Sequence, residues 1–115
     1  MKYLCLIYRE ESSVTRLTPD ERTQMRSDYT QYTQDIKASG HYLGGDALQP
    51  VSSAATVRLR GGSVTTTDGP FAETKEQLGG YYLIEARDLD DAIQVAARIP
   101  GARTGSIEVR PVMET

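Results

Sequence analysis

The chain has 115 residues, which is enough for one domain, spanning 1–115, with a single hydrophobic core. Its formal net charge of −3 argues against binding to nucleic acid or to an acidic membrane surface, because both attract basic proteins. The single cysteine excludes an intramolecular disulfide and a zinc site made of several cysteines.

The chain opens with an apolar run. Residues 3–8 are apolar on both faces, which predicts a central strand covered on both sides, with Cys5 as a buried and inert thiol. The run is too short for a membrane span, and it lacks the features of a secretory signal, so we expect a cytoplasmic protein. Residues 10–16 are polar and are predicted to form a loop.

A long amphipathic helix follows this loop. Thr18 is a predicted N-cap, with Pro19 at the first helical position and Glu21 three residues after the cap. Gly40 is predicted to end the helix. One apolar stripe runs along it, formed by Met25, Tyr29, Tyr32 and Ile36.

The rest of the chain is predicted to be mostly strands. A bulged strand at 42–48 is followed by a loop at 49–53 and a hairpin of 56–60 and 63–67, which turns at Gly61-Gly62. The remaining predicted elements are a helical turn within 71–78, a strand at 81–86 after Gly79-Gly80, a helix from Asp88 to about 99, and a strand at 107–112.

This order predicts an α+β fold of the ferredoxin-like type, with two helices on one face of an antiparallel sheet and an inserted β-hairpin. Two helices cover only one sheet face, yet the strands are apolar on both. We therefore expect a homodimer that buries sheet against sheet.

The segment from Thr67 to Glu76, TDGPFAETKE, resembles the signature of the DGPF-motif group within the YCII-related family. The segments Gly79-Gly80-Tyr81-Tyr82, Ile99-Pro100 and 107–112 fit the same family. The resemblance implies a dimeric α+β barrel and a functional link to an extracytoplasmic-function sigma factor. YciI-like members were proposed to use a His–Asp pair with the His on the first helix. Because this first helix contains no His, that pair cannot be carried over.

Two residues are candidates for catalysis. Asp68 lies in an Asp-Gly-Pro sequence, which is typical of a turn but also suits a carboxylate at the mouth of a cleft. His41, the single histidine, suits a helix C-terminus; alternatively, it pairs with Asp46 or Asp68 as an acid–base group.

Four charged residues are candidates for ligand binding. Glu73 and Lys75 belong either to a solvated turn or to a loop in which Lys75 binds an anion. Glu108 and Arg110 alternate on one strand face, where they either pair across strands or fix a polar ligand. The sequence contains no motif for a metal, a cofactor or a phosphate group.

Three functions therefore remain open. The first is a cofactor-independent small-molecule enzyme that catalyses proton transfer or isomerisation in the cleft of a dimeric barrel. The second is a non-catalytic ligand-binding or regulatory module associated with a sigma factor. The third is a structural dimer in which the motif residues only build turns.

Overall fold

A computed structural model describes residues 1–114. In chain order it has the following helices and strands: β1 (Lys2–Arg9), α1 (Glu11–Thr15), α2 (Pro19–Ala38), β2 (Tyr42–Ala47), β3 (Ala55–Arg60), β4 (Ser63–Asp68), β5 (Gln77–Glu85), α3 (Leu89–Ala97) and β6 (Ser106–Pro111). Short 3-10 turns occupy Val51–Ser53 and Pro100–Arg103.

The strands form two sheets. Four of them pair antiparallel in the order β2-β5-β1-β6, and β3 and β4 form a separate two-stranded hairpin. The predicted ferredoxin-like α+β fold with an inserted hairpin is therefore confirmed, and β1 has the expected central position. The hairpin turns at Gly61 and Gly62, whose φ angles of 56° and 78° suit glycine best.

The core lies between one face of the four-stranded sheet and the helices α2 and α3. Tyr32 and Ile36 of α2 are buried there, as the apolar stripe predicts. The Tyr32 hydroxyl donates a hydrogen bond of 2.8 Å to the carbonyl oxygen of Val95, which ties α2 to α3. The remaining buried side chains of this cluster are Tyr3, Cys5, Ile7, Tyr82, Ile84, Ala86, Ala92, Val95, Ala96 and Ile99.

Both ends of α2 are set by local signals. Thr18 and Glu21 form the predicted capping box, with hydrogen bonds of 3.1 and 2.9 Å in the two directions. At the other end Gly40 has a φ of 80°, and the His41 N–H donates to the carbonyl oxygen of Ile36. This is the glycine-based helix end that the sequence predicts.

The opposite face of the sheet, which we call the open face, is covered by no helix among the described residues. Along β1 the buried side chains alternate with Leu4, Leu6 and Tyr8, which are only partly exposed. Leu4 and Leu6 lie beside Arg110 and Glu108 of β6. The open face is therefore apolar along β1 and charged along β6.

Predictions for three segments were wrong. Residues 11–15 form α1 instead of a loop, and the segment before Gln77 bends without forming a helical turn. Strand β5 begins at Gln77, four residues before the predicted start, because Gly79 and Gly80 lie inside the strand. None of the helices within residues 1–114 is both long enough and apolar enough to cross a membrane.

Candidate functional site

A cleft with a volume of ≈ 400 Å³ separates α2 from the β2–β5 side of the sheet. Three arginines line it: Arg9 at the end of β1, and Arg22 and Arg26 on α2. The two helical arginines are four residues apart and so lie on the same side of the helix, where like charges repel each other by about 0.2–0.5 kcal/mol. The cleft is thus strongly basic, although the chain has a net charge of −3.

These three arginines form no ion pair within residues 1–114. Arg22 donates only to the backbone carbonyl oxygens of Leu17 and Thr15, at 3.4 and 3.3 Å. Arg9 and Arg26 take part in none of the salt bridges of the described chain.

Asp46 and Tyr81 also line the cleft, but the alternation of side chains along β5 places Tyr81 on the open face. The Tyr81 hydroxyl donates to the Asp46 carboxylate there at 2.8 Å.

A β-bulge makes room for Arg9. The pairing of β1 with β5 skips Gly79, since Ile7 lies opposite Gly80 and Tyr8 opposite Leu78. A Cβ atom on Gly79 would lie 3.0 Å from Cζ of Arg9, so the guanidinium group occupies the space that a side chain would fill. The bulge and the glycine together place this cation at the cleft.

Hydroxyl groups of tyrosines and of Thr33 also face the cleft. The Tyr29 hydroxyl accepts a hydrogen bond of 3.1 Å from the Gly101 N–H, and the Tyr82 hydroxyl shares one of 2.7 Å with Thr33. Burial raises the pKa of both tyrosines, so the phenols are protonated at neutral pH. The side chains that face the cleft therefore donate hydrogen bonds and carry positive charge, which suits an anion.

His41 lies in a second cluster, at the junction of α2 with β2. Its Nε2 is 3.3 Å from the Asp91 carboxylate, and its Nδ1 is 2.7 Å from the Ser39 hydroxyl. The backbone N–H of Arg87 also donates to Asp91, and this bond and His41 lower the pKa of the Asp91 carboxyl against the opposing effect of burial. The histidine partner is therefore Asp91, and the suggested partners Asp46 and Asp68 were wrong.

The structure places the other candidates from the sequence away from both clusters. Asp68 ends β4 with an exposed side chain, followed by Gly69 with a φ of 94°. Glu73 and Lys75 are exposed in the irregular segment before β5. None of these three candidates lines the arginine cleft.

Glu108 and Arg110 pair with each other instead of across strands. Nε of Arg110 donates to the Glu108 carboxylate at 2.7 Å on the open face of the sheet. The predicted cross-strand partners were wrong, because residues two apart on one strand already lie on the same face.

The arginines of the cleft were missed by the sequence analysis. Arg9 stands at the end of an apolar strand, and only the packing of α2 over β1 brings it near Arg22 and Arg26. The one signal available in the sequence is the spacing of Arg22 and Arg26 on the side of α2 next to the apolar stripe.

Comparisons with known proteins identify the family of the chain. The model of the YCII-related domain matches residues 1–115. An uncharacterised protein of Rhizobium meliloti (strain 1021), R00369, is 38% identical over 114 residues, which cover 97% of this chain and 92% of the relative. Membership of the DGPF-motif group stays a prediction from the sequence motif. On this match over its whole length, the chain belongs to the YCII-related family.

Proposed function

We propose that the protein binds a small organic anion in the cleft between α2 and the sheet. The observation that carries the proposal is the presence of three arginines, Arg9, Arg22 and Arg26, that line one cleft without an acidic partner in the described chain. Guanidinium groups of this kind bind carboxylates and phosphates through charge-assisted hydrogen bonds. An anionic group would relieve the repulsion between Arg22 and Arg26.

The apolar and aromatic part of the lining indicates the chemistry of the rest of the ligand. Ile7, Val14, Met25 and Ala47 provide apolar surface, and Tyr42 and Tyr82 provide aromatic rings. A cleft of ≈ 400 Å³ is in the size range of small-molecule sites. The ligand would therefore combine one carboxylate or phosphate group with an apolar or aromatic body.

Binding without chemistry accounts for the cleft better than catalysis does. Proton transfer needs an acceptor, and the one carboxylate in the lining, Asp46, accepts a hydrogen bond from Tyr81 on the open face. The side chains that face the cleft are arginines, protonated phenols, the Thr33 hydroxyl and apolar groups. This supports the non-catalytic ligand-binding module among the functions left open by the sequence. The predicted link to a sigma factor and the cytoplasmic location stay predictions.

A second candidate, the small-molecule enzyme, is favoured by the cluster of Ser39, His41 and Asp91. An imidazole held between a carboxylate and a hydroxyl has the arrangement of a general base. This would make His41 the proton acceptor, with Asp91 orienting its ring. The catalytic role of Asp68 stays a prediction from the sequence.

The test measures anion binding by calorimetry and thermal shift. The probes are benzoate and phenyl phosphate, with benzamide as the neutral counterpart of benzoate. We expect the anions to raise Tm and benzamide to have no effect. Arg9→Gln and Arg26→Gln should each weaken binding about 10- to 100-fold, the value of a charge-assisted hydrogen bond.

Arg58→Gln is the matched control, because Arg58 is exposed on the hairpin and lies outside the cleft. Equal binding of benzoate by the wild type and both cleft variants would overturn the proposal. Mass spectrometry of the purified protein then identifies any retained metabolite. Conversion of that metabolite, abolished by His41→Gln while binding persists, would support the enzyme instead.

The predicted homodimer is also part of the proposal. The open face carries three partly exposed leucines on the two central strands: Leu4, Leu6 and Leu83. No helix of the described chain covers them. A second copy placed sheet to sheet would cover this apolar area. The substitution Leu6→Glu would then weaken the dimer.

A further inference from the structure

The hairpin of β3 and β4 has one apolar face and one polar face. The strand register places Leu59 directly opposite Val64, and Val57 opposite Thr66. Because side chains alternate along a strand, Val57, Leu59 and Val64 share a face, and we call these three residues the apolar row. Arg58, Arg60 and Thr65 occupy the other face, so the hairpin has the pattern of a strand pair that is buried on one side.

The apolar row is nevertheless exposed. Val57, Leu59 and Val64 are 64%, 63% and 69% exposed, and Phe71, just beyond the hairpin, is 80% exposed. Neither β3 nor β4 packs extensively on another helix or strand of the described chain. An isolated two-stranded hairpin is at best marginally stable in water. The apolar side of the hairpin therefore needs a surface to pack on, and residues 1–114 do not provide one.

The exposed surface area of the chain is large enough to include a dimer interface. The chain exposes 8029 Å², about 1,800 Å² more than expected for a folded monomer of 12.7 kDa. Its radius of gyration is 16.1 Å, against an expected value of about 13 Å. A stable interface buries about 800 Å² on each partner, so the excess is large enough for the interface of a permanent dimer.

We propose that the β3–β4 hairpin is a dimerisation arm whose apolar row packs on a second copy of this chain. A two-fold dimer uses the same patch on both subunits, so each chain would give one arm and receive one. This goes beyond sheet-to-sheet pairing, because the hairpin stands apart from the four-stranded sheet. This arrangement also explains why the opposite face, which carries Arg58 and Arg60, is polar. That face would stay in contact with water.

The test compares two variants that each introduce one glutamate into the hairpin. Leu59→Glu places a charge in the apolar row, and Thr65→Glu places the same charge on the polar face next to Arg58. Sedimentation equilibrium should give twice 12.7 kDa for the wild type and for Thr65→Glu. For Leu59→Glu the dissociation constant of the dimer should rise at least about 100-fold.

A second measurement covers the case in which Leu59→Glu only unfolds the hairpin. Hydrogen exchange of the wild-type amides in β3 and β4 should be slow in the dimer and fast on dilution to the monomer. The proposal is overturned if these amides exchange equally fast at both concentrations, if Leu59→Glu remains as dimeric as Thr65→Glu, or if the wild type is a monomer. If Leu6→Glu weakens the dimer and Leu59→Glu does not, the dimer forms through the sheets and the proposed dimerisation arm is rejected.

Discussion

The guanidinium group of Arg9 lies next to the backbone of Gly79, with its Cζ atom 3.0 Å from the position that a Cβ atom on Gly79 would take. Because Gly79 has no side chain, the Arg9 cation has room at the candidate binding cleft. The neighbouring Gly80 is constrained differently, because its Cβ atom would lie 2.9 Å from the backbone oxygen of Asp46. The two glycines therefore have separable roles, the first in binding and the second in strand pairing.

We predict that Gly79→Ala weakens benzoate binding about 10-fold, as expected if Arg9 loses one charge-assisted hydrogen bond, and changes stability little. Its new methyl group meets the flexible end of Arg9. In Gly80→Ala the methyl group meets backbone atoms of β2, and we expect a loss of about 1–3 kcal/mol. Calorimetric titration and urea unfolding measure the two effects. Equal loss of stability in both variants would contradict these separate roles.

Tyr32 is predicted to be the most sensitive position of α2. It is 5% exposed, contacts the Tyr82 ring edge-on at a centroid distance of 5.2 Å, and donates to Val95. Tyr32→Ala should cost about 3–5 kcal/mol, and Tyr32→Phe about 1 kcal/mol through loss of the hydrogen bond. Tyr29→Ala should cost less than Tyr32→Ala, because Tyr29 is only partly buried. Urea denaturation gives all three values.

The Asp91 carboxylate is predicted to contribute stability that depends on pH. Its pKa is lowered in the folded protein, first by the hydrogen bond from the Arg87 N–H and then by His41. The contribution is therefore present above the ordinary value of 3.8 and is lost as the pH falls through the lower folded value. Asp91→Asn should be less stable than the wild type at pH 7 and should lose less stability on acidification.

Asp90→Asn is the control for this pH effect, since Asp90 lies in the same first turn of α3. The urea midpoint of each protein between pH 7 and pH 3 gives the comparison. If the two variants show the same pH profile, the Arg87 and His41 contacts do not stabilise the charged form of Asp91.

The thiol of Cys5 is predicted to be unreactive in the folded protein. The side chain is fully buried, and burial raises its pKa to about 11. The thiolate that reacts with Ellman's reagent is therefore scarce at pH 8. We expect one thiol per chain to react in urea and almost none in buffer. Rapid reaction in buffer would show that β1 is not in the core.

Local signals explain why most elements were predictable. The capping box of Thr18 and Glu21, the helix-ending Gly40 and the Gly61-Gly62 turn each act within a few residues of the chain. Helix α1 has no such signal, because its N-cap, Glu10, makes no side-chain capping bond. The helix is instead held by long-range contacts of Glu11, whose N–H donates to Gln77 and whose carboxylate accepts from Val51. No short-range pattern in the sequence indicates these contacts.

The sequence by itself indicated the family through the TDGPFAETKE segment. It also determined the α+β fold and the ends of α2, because short-range periodicity and backbone preferences encode them. Only the tertiary structure decided that Arg9 joins Arg22 and Arg26 at one cleft, and that His41 meets Asp91 instead of Asp46 or Asp68. His41 and Asp91 are 50 residues apart in sequence. Their contact depends on how α2 and α3 pack on the sheet, which is a property of the whole core and of no single segment.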